Sequence, residues 1–402
     1  MFKTFSRGLE TARDAWTYDF DPQVLRKKVQ ALIENYNAEL DRWRRAKKPD
    51  DIDDFVTSDE RKVKWCSRLK QALKQEIYAE FVEDRIRTSL YRPFTKRCAY
   101  VDPIITHRRG IFPEAFPNLA AENENRLITI TDVAFRASTF STIVSPCTAD
   151  LHLCASVDSH QCFPFYLYDD DATNRRENIT DWALEHFREH YGDKKITKWD
   201  IFYYVYGVLH HPEYRTKYAE NLKRELPRIP LAKDFWGFSK AGEELARLHI
   251  EYEKVEPWPL KFIETSASFG VRELAPAFVP PKLASAGKAA ASRRTPKPAA
   301  AGLPLSYRVV DKMRLAKDHR SLKVNDTLTL GGIPPETFEY RLGNRSALEW
   351  VIDQYQVTED KYSGIRSDPN RPDDPEYIVR LVGQVIRVSM ETVMIVKSLP
   401  CL

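Results

Sequence analysis

Between residues 85 and 109 the cationic side chains Arg85, Arg87, Arg92, Lys96, Arg97, Arg108 and Arg109 face one carboxylate, Asp102, with Tyr91, Phe94 and Tyr100 interleaved. Guanidinium groups grip phosphates or read guanine O6 and N7 in pairs, and aromatic rings stack on unpaired bases. Tyr91, Arg92, Lys96, Arg97, Arg108 and Arg109 are therefore the first candidates for nucleic-acid contact. The bland alternative is a scaffold loop whose aromatics enter a core and whose Arg92 pairs with a carboxylate. A second candidate is SGIRSDPNR at 363–371, flanked by Lys361 and by Arg341 and Arg345. Gly364 and Pro369 shape a turn able to present Arg366, Asn370 and Arg371, although an Asp-Pro-Asn turn also serves simply to connect helices.

Three further spacings imitate catalytic centres. Asp50, Glu60 and Lys62 match a metal-dependent nuclease, but Glu60 and Lys62 fall in a charged loop running into a helix, where such charges are normally solvated. His186 and His190 stand one helical turn apart, as zinc ligands can, yet they occupy the end of a short helix closed by Gly192. Cys147, His152, Cys154, His160 and Cys162 crowd into a short window without the paired short gaps of zinc sites, and the alternation at 151–155 places His152 and Cys154 on one strand face. Packed thiols and hydrogen-bonded histidines are the simpler reading. No metal site is expected.

The elements that must carry these residues are legible from caps and periodicity. Asp21-Pro22 opens a long helix with Leu25, Val29, Leu32, Tyr36, Leu40 and Trp43 on one face. After a polar break at 47–54, Ser58 is expected to cap a second helix bearing Leu69, Leu73 and Ile77. Such a pair lacks a sheet partner and is expected to pack on something upstream. Residues 127–131 and 151–155 read as strands between proline-punctuated loops. Thr180 caps a helix that stops at Gly192, Thr197 and Asp200 form a capping box for a buried helix at 201–209, and a further helix runs toward Leu226. Ala, Ser, Pro and Gly dominate 283–304, a tether or surface insertion. Beyond it, 307–315 and 322–330 read as a strand pair, Ser346 starts a helix, and 376–398 is a long helix with Ile378, Leu381, Val385, Ile386, Val393 and Ile395 inward. Separate runs of strands and helices favour an α+β fold.

Five blocks in order carry a resemblance: FSRGLETARDAW at 5–16, YRPFTKR at 91–97, QCFPFY at 161–166, GEELARLHIEY at 242–252, and NRSALEWVIDQYQV with SGIRSDPN at 344–370. Together they resemble the C-terminal specificity region of Type ISP restriction-modification enzymes. Those single chains combine a nuclease, a helicase-like motor, an adenine methyltransferase and a DNA-recognition part. The resemblance implies a helical connector at 1–84, a mixed α/β target-recognition region at 85–265, a linker at 266–304 and the rest of the specificity region at 305–402. It implies sequence-specific binding of double-stranded DNA and presentation of a target adenine to a methyltransferase. The implied partners are that methyltransferase and the motor, in the parent enzyme or a split subunit.

Catalysis is not expected on this chain. None of its 14 glycines forms Gly-x-Gly, its Pro-Pro pairs follow Val279 and Ile333 rather than Asn or Asp, and no phosphate loop is present. S-adenosylmethionine is accordingly expected to bind in a methyltransferase domain beyond these residues, with no cofactor held here. A net charge of +4 places any nucleic-acid footprint in local patches. Six cysteines without CxxC spacing, no apolar run long enough to span a bilayer and no signal-like start point to the cytoplasm. The rival reading is a protein-interaction module that docks the methyltransferase or motor without reading bases.

Overall fold

A computed structural model describes residues 1–46, 51–134, 139–155, 157–169, 171–264 and 307–402. Asp50 and the stretch expected as a linker at 266–304 lie outside those residues. The fold is α+β, as the segregated pattern predicts, and it buries three hydrophobic cores.

The front helix Pro22–Arg45 starts where Asp21 Oδ1 accepts from the N–H groups of Gln23 and Val24 at 2.7 and 3.3 Å. All six residues of its expected stripe are buried. Their partners differ from expectation: the stripe packs on the helix Ser67–Lys74 and on Tyr100 and Ile105, so the connector docks downstream, within this chain. Asn37 reinforces this by exchanging two hydrogen bonds with the Ala79 backbone, at 2.9 and 3.0 Å. The second helix is also corrected. It begins at Ser67 behind a Cys66 cap without a side-chain bond, Ser58 precedes a separate turn, and Ile77 lies past the helix end, 41% exposed. The polar break contains a one-turn helix, Ile52–Phe55, that buries Ile52.

Two four-stranded sheets follow. The first orders Tyr18–Asp19, Thr95–Tyr100, Ile86–Arg92 and Thr148–Ala149, the last pairing parallel. The second is antiparallel and orders Ser6–Arg7, His160–Pro164, Leu127–Thr131 and Thr142–Ser145. Strands from the first nineteen residues thus enter both sheets, across the expected boundary at 84. Alternation along the second sheet separates two cores. Leu127, Ile143 and Cys162 face one, Ile128, Ile130, Val144 and Phe163 the other. Residues 151–154 are a turn, not a strand, because the Asp150 carboxylate takes the His152 N–H at 2.9 Å and folds the chain back. The alternation expected for His152 and Cys154 therefore does not exist.

The helix Lys198–His210 carries the expected capping box, and it crosses Phe235–Ile250 closely enough that a Cβ on Gly242 would stand 1.8 Å from the Tyr203 carbonyl. Only glycine fits that crossing. Past His211 the expected single helix is two short ones, Pro212–Lys217 and Ala219–Leu222. The expected strand pair is a four-stranded antiparallel sheet, Lys261–Glu264, Leu328–Gly331, Ser321–Lys323 and Arg314–Leu315; residues 307–313 stay outside it. The C-terminal helix Tyr377–Lys397 buries Ile378, Leu381, Val385 and Ile386 and ties back through Gln384 Nε2, 2.6 Å from the Glu253 carbonyl. Among the described residues no helix is long and apolar enough to cross a membrane.

Candidate nucleic-acid interface

The basic hairpin formed by Ile86–Arg92 and Thr95–Tyr100 turns at Pro93-Phe94, with Phe94 at φ 55°. Its tip faces inward. Arg92 Nη1 lies 2.7 Å from Asp150 Oδ1, and the pair is nearly closed to solvent. The Arg92 and Arg97 guanidinium carbons both sit over the Tyr91 ring, at 4.1 and 4.2 Å, while Phe20 covers Arg97 at 4.4 Å. Tyr91 donates its hydroxyl proton to Asp14 at 3.0 Å. Burial pushes the Arg97 guanidinium pKa below its ordinary value, and its Nε has no hydrogen-bond partner. Three of the expected site residues are thus brought together, as an internal stack.

Lys96 points to the other face of its strand and meets Glu253 at 2.5 Å. Tyr377 donates to the same carboxylate at 2.7 Å, which obliges Tyr355, 3.2 Å away, to donate to Tyr377. Burial opposes ionisation of Glu253, but Lys96 and Tyr377 hold its pKa below the ordinary value. Arg371 caps this network with its guanidinium carbon 3.3 Å from the Tyr377 ring centroid. Phe20, tilted against Tyr355 with ring centroids 5.3 Å apart, joins it to the Tyr91 stack. The two basic windows, far apart in sequence, therefore meet in one polar cluster.

The remaining candidates sit nearer the surface. Arg108 exchanges two backbone hydrogen bonds with Glu10, both at 2.9 Å, and its half-exposed side chain lies 3.3 Å from the Glu10 carboxylate. Arg109 is partly buried beside Arg7 and Gly8. Gly110 follows at φ +55°, and any Cβ there would stand 2.2 Å from the Arg7 carbonyl, so the glycine lets the Arg108–Arg109 segment lie against the first strand. Arg7 itself, 58% exposed at the side chain, bonds Asp132 at 2.9 Å. Charge density does not single Arg7 out, because it stands outside both basic windows; its place in the first of the five blocks is the available signal.

In the C-terminal part, the stretch 363–371 is more than a loop. Thr358–Glu359 and Arg366–Ser367 form a hairpin whose turn is set by Asp360 Oδ1 accepting from Ser363 N–H at 2.8 Å and by Gly364 at φ +69°. Arg366 stays exposed, 3.7 Å from Asp368. Asn370 does not project: its amide bonds both backbone groups of Val309. Arg345 pairs with Asp353 at 2.6 Å over the Trp350 ring. A crevice of about 330 Å³ runs between residues 9–16 and the 358–367 hairpin, with Glu10, Asp14, Asp150 and Asp360 among its walls. Arg108 pairs with Glu10, one of those walls, and Arg366 is on that hairpin.

His186 stacks on the exposed Trp182 at 5.2 Å, Cys147, Cys154 and Cys162 are free and buried, and His160 leans on the Leu151 carbonyl at 3.3 Å. Glu60 and Lys62 lie in a turn rather than on a strand. Among the described residues no three His, Cys, Asp or Glu side chains group as metal ligands.

The exposed Arg7, Arg108 and Arg366 thus stand on a strand, an isolated bridge and a hairpin of an α+β fold. Residues 1–381 of the chain match the family model for the Type ISP C-terminal specificity domain, and the chain belongs to that family. Three solved structures are similar over all of this chain. One is a nuclease-deletion mutant of the Type ISP restriction-modification enzyme LlaGI with a DNA substrate mimic, at TM-score 0.78 and 30% identity. The others are a DrdV–DNA complex, at 0.79 and 31%, and the ATP-dependent Type ISP enzyme LlaBIII bound to DNA, at 0.80 and 27%. The chain spans 33%, 36% and 23% of those three chains, respectively. No curated protein matches it.

Proposed function

We propose that this chain recognises a double-stranded DNA site for a Type ISP restriction-modification enzyme and presents a target adenine to a methyltransferase domain outside it. The observation that carries the reading is the likeness, along its full length, to enzymes whose structures hold DNA. S-adenosylmethionine would belong to that other domain, and a motor domain would be the second partner. On this reading Arg7, Arg108 and Arg366 meet phosphates or base edges, with Arg109, Arg345 and Arg371 at their flanks. Tyr91, Arg92, Lys96, Arg97 and Asn370 act from beneath, through their internal stack, ion pairs and backbone clasp.

Fluorescence anisotropy on duplex DNA across several salt concentrations tests this. Binding should weaken steeply with salt, and the Arg7→Ala, Arg108→Ala, Arg366→Ala triple variant should flatten the slope by about 0.9 for each phosphate it no longer neutralises. An unchanged slope with an intact fold would move the DNA surface elsewhere. With labelled S-adenosylmethionine the chain alone should incorporate no methyl groups; incorporation would overturn the assignment of chemistry to another domain.

A further inference from the structure

A groove of about 900 Å³ opens between the helices of residues 198–222 and the end of the C-terminal helix, and Arg7, Arg108 and Arg366 are not among its lining residues. Its walls include His210 and Tyr340, 3% and 5% exposed, and Arg215. In each of the three a buried polar atom lacks a hydrogen-bond partner: His210 Nε2, Tyr340 Oη and Arg215 Nη2. Such atoms are costly to leave unmet, and all three belong to residues lining this one groove, where a shared partner would meet them.

Their polarity narrows what that partner is. Arg215 Nε already donates to the Leu209 carbonyl at 2.7 Å, leaving Nη2 as a charged donor. His210 Nδ1 lies 2.9 Å from the Tyr206 carbonyl, which places the proton of the neutral ring there and leaves Nε2 as an acceptor. Burial keeps that ring neutral by pushing its pKa well below the ordinary value. Tyr340 Oη can give or take, while its ring is fixed by a stack on His249 at 5.2 Å. A phosphate or carboxylate would satisfy Arg215 and leave His210 unmet. The edge of a nucleobase, with an acceptor beside a donor, satisfies both.

The rim supplies the rest. Lys223, Arg341 and Lys397 join Arg215 at the rim, paired there with Glu220, Glu349 and Glu339 respectively, and the ring of Phe140 offers a flat wall. We infer that the groove binds a nucleotide, its base edge on Arg215, His210 and Tyr340 and its phosphate at the basic rim. The nucleotide could be free in solution or turned out of a DNA strand, since the recognised groups are the same.

Isothermal titration calorimetry of the full chain with the four nucleoside 5′-monophosphates, and with ribose 5-phosphate as the base-free probe, tests this. At least one nucleotide should bind tenfold or more tightly than ribose 5-phosphate. Tyr340→Phe, which keeps the ring, should weaken that nucleotide roughly two- to tenfold and leave ribose 5-phosphate unchanged. The double variant Lys223→Glu, Arg341→Glu should weaken both, with melting temperatures reporting the fold. Displacement of the nucleotide by duplex DNA assigns the groove to a base of the strand; simultaneous binding assigns it to a free nucleotide. No binding at millimolar nucleotide, or equal affinity with and without the Tyr340 hydroxyl, overturns the inference. Salt-dependent binding of duplex DNA stands or falls independently of either outcome.

Discussion

Asn370 clasps Val309 through both ends of its amide: Oδ1 accepts from the Val309 N–H at 2.9 Å, and Nδ2 donates to the Val309 carbonyl at 2.7 Å. Val309 is fully buried, so Asn370 supplies a strand-like partner to a segment that joins no sheet.

Asn370→Ala should therefore act on stability. Stranding two buried backbone groups costs about 1–3 kcal/mol, whereas Arg366→Ala, at an exposed side chain, should stay within about 0.5 kcal/mol. Urea unfolding of both variants separates them. Equal stability would mean that water replaces the amide without loss.

Arg92→Ala should destabilise by about 3–5 kcal/mol, because Asp150 would be left buried without its cation. Burial already pushes the Asp150 pKa up to about 6, against the pull of Arg92. Removing Arg92 raises it further, so at pH 5 the carboxyl takes a proton and escapes the penalty. The loss measured at pH 8 should exceed that at pH 5, and the reverse order would refute the coupling.

Acid should weaken the fold through its neutral histidines. Burial pushes His160 down to about 4 and His249 down to about 3. An unfolded histidine titrates near 6.5, so the stability these residues contribute is complete above that pH and is lost as pH falls toward 4. For His160, which Arg92, His152 and Asp158 surround, this amounts to roughly 3 kcal/mol. Asp150 works in the opposite sense, its contribution falling as pH rises through about 6. His160→Gln should reduce the decline between pH 6.5 and 4.5 by roughly 2 kcal/mol in denaturant titrations. An unchanged decline would place the acid sensitivity elsewhere.

Leu32→Ala on the front helix should cost about 2–5 kcal/mol in thermal or urea unfolding, against a small effect for the exposed Glu34→Ala. Matching stabilities would contradict docking of this helix on Tyr100 and Ile105.

What the sequence discloses here is local chemistry. Asp21, Thr180, Thr197 and Ser346 cap the helices expected of them, because a cap is decided within three residues. Ser58 misled for the same reason: its neighbourhood looks like a helix start, but Asp59 captures the following turn. Long-range pairing was opaque. Nothing near 261–264 announces a strand whose partner lies at 328–331, and a row of arginines looks solvated until Asp150 and Phe20 are known to stand beside them. The basic windows are legible in the sequence, whereas the inward turn of Tyr91, Arg92, Lys96, Arg97 and Asn370 is not.

The clasp of Gln384 on Glu253, together with the hydroxyl of Tyr377 on the same residue, has a consequence for how the chain matures on the ribosome. The Lys96 hairpin and Glu253 are synthesised long before residues 377–397 and can pair with each other, yet Tyr377 and Gln384, which complete the network, arrive only with that later helix. Until then Glu253 has Lys96 alone, and the apolar faces that the helix covers stay open to solvent. Contacts of such wide separation slow folding and expose sticky intermediates. Premature termination before residue 377 would thus release a product fit for proteolysis rather than a shortened DNA reader.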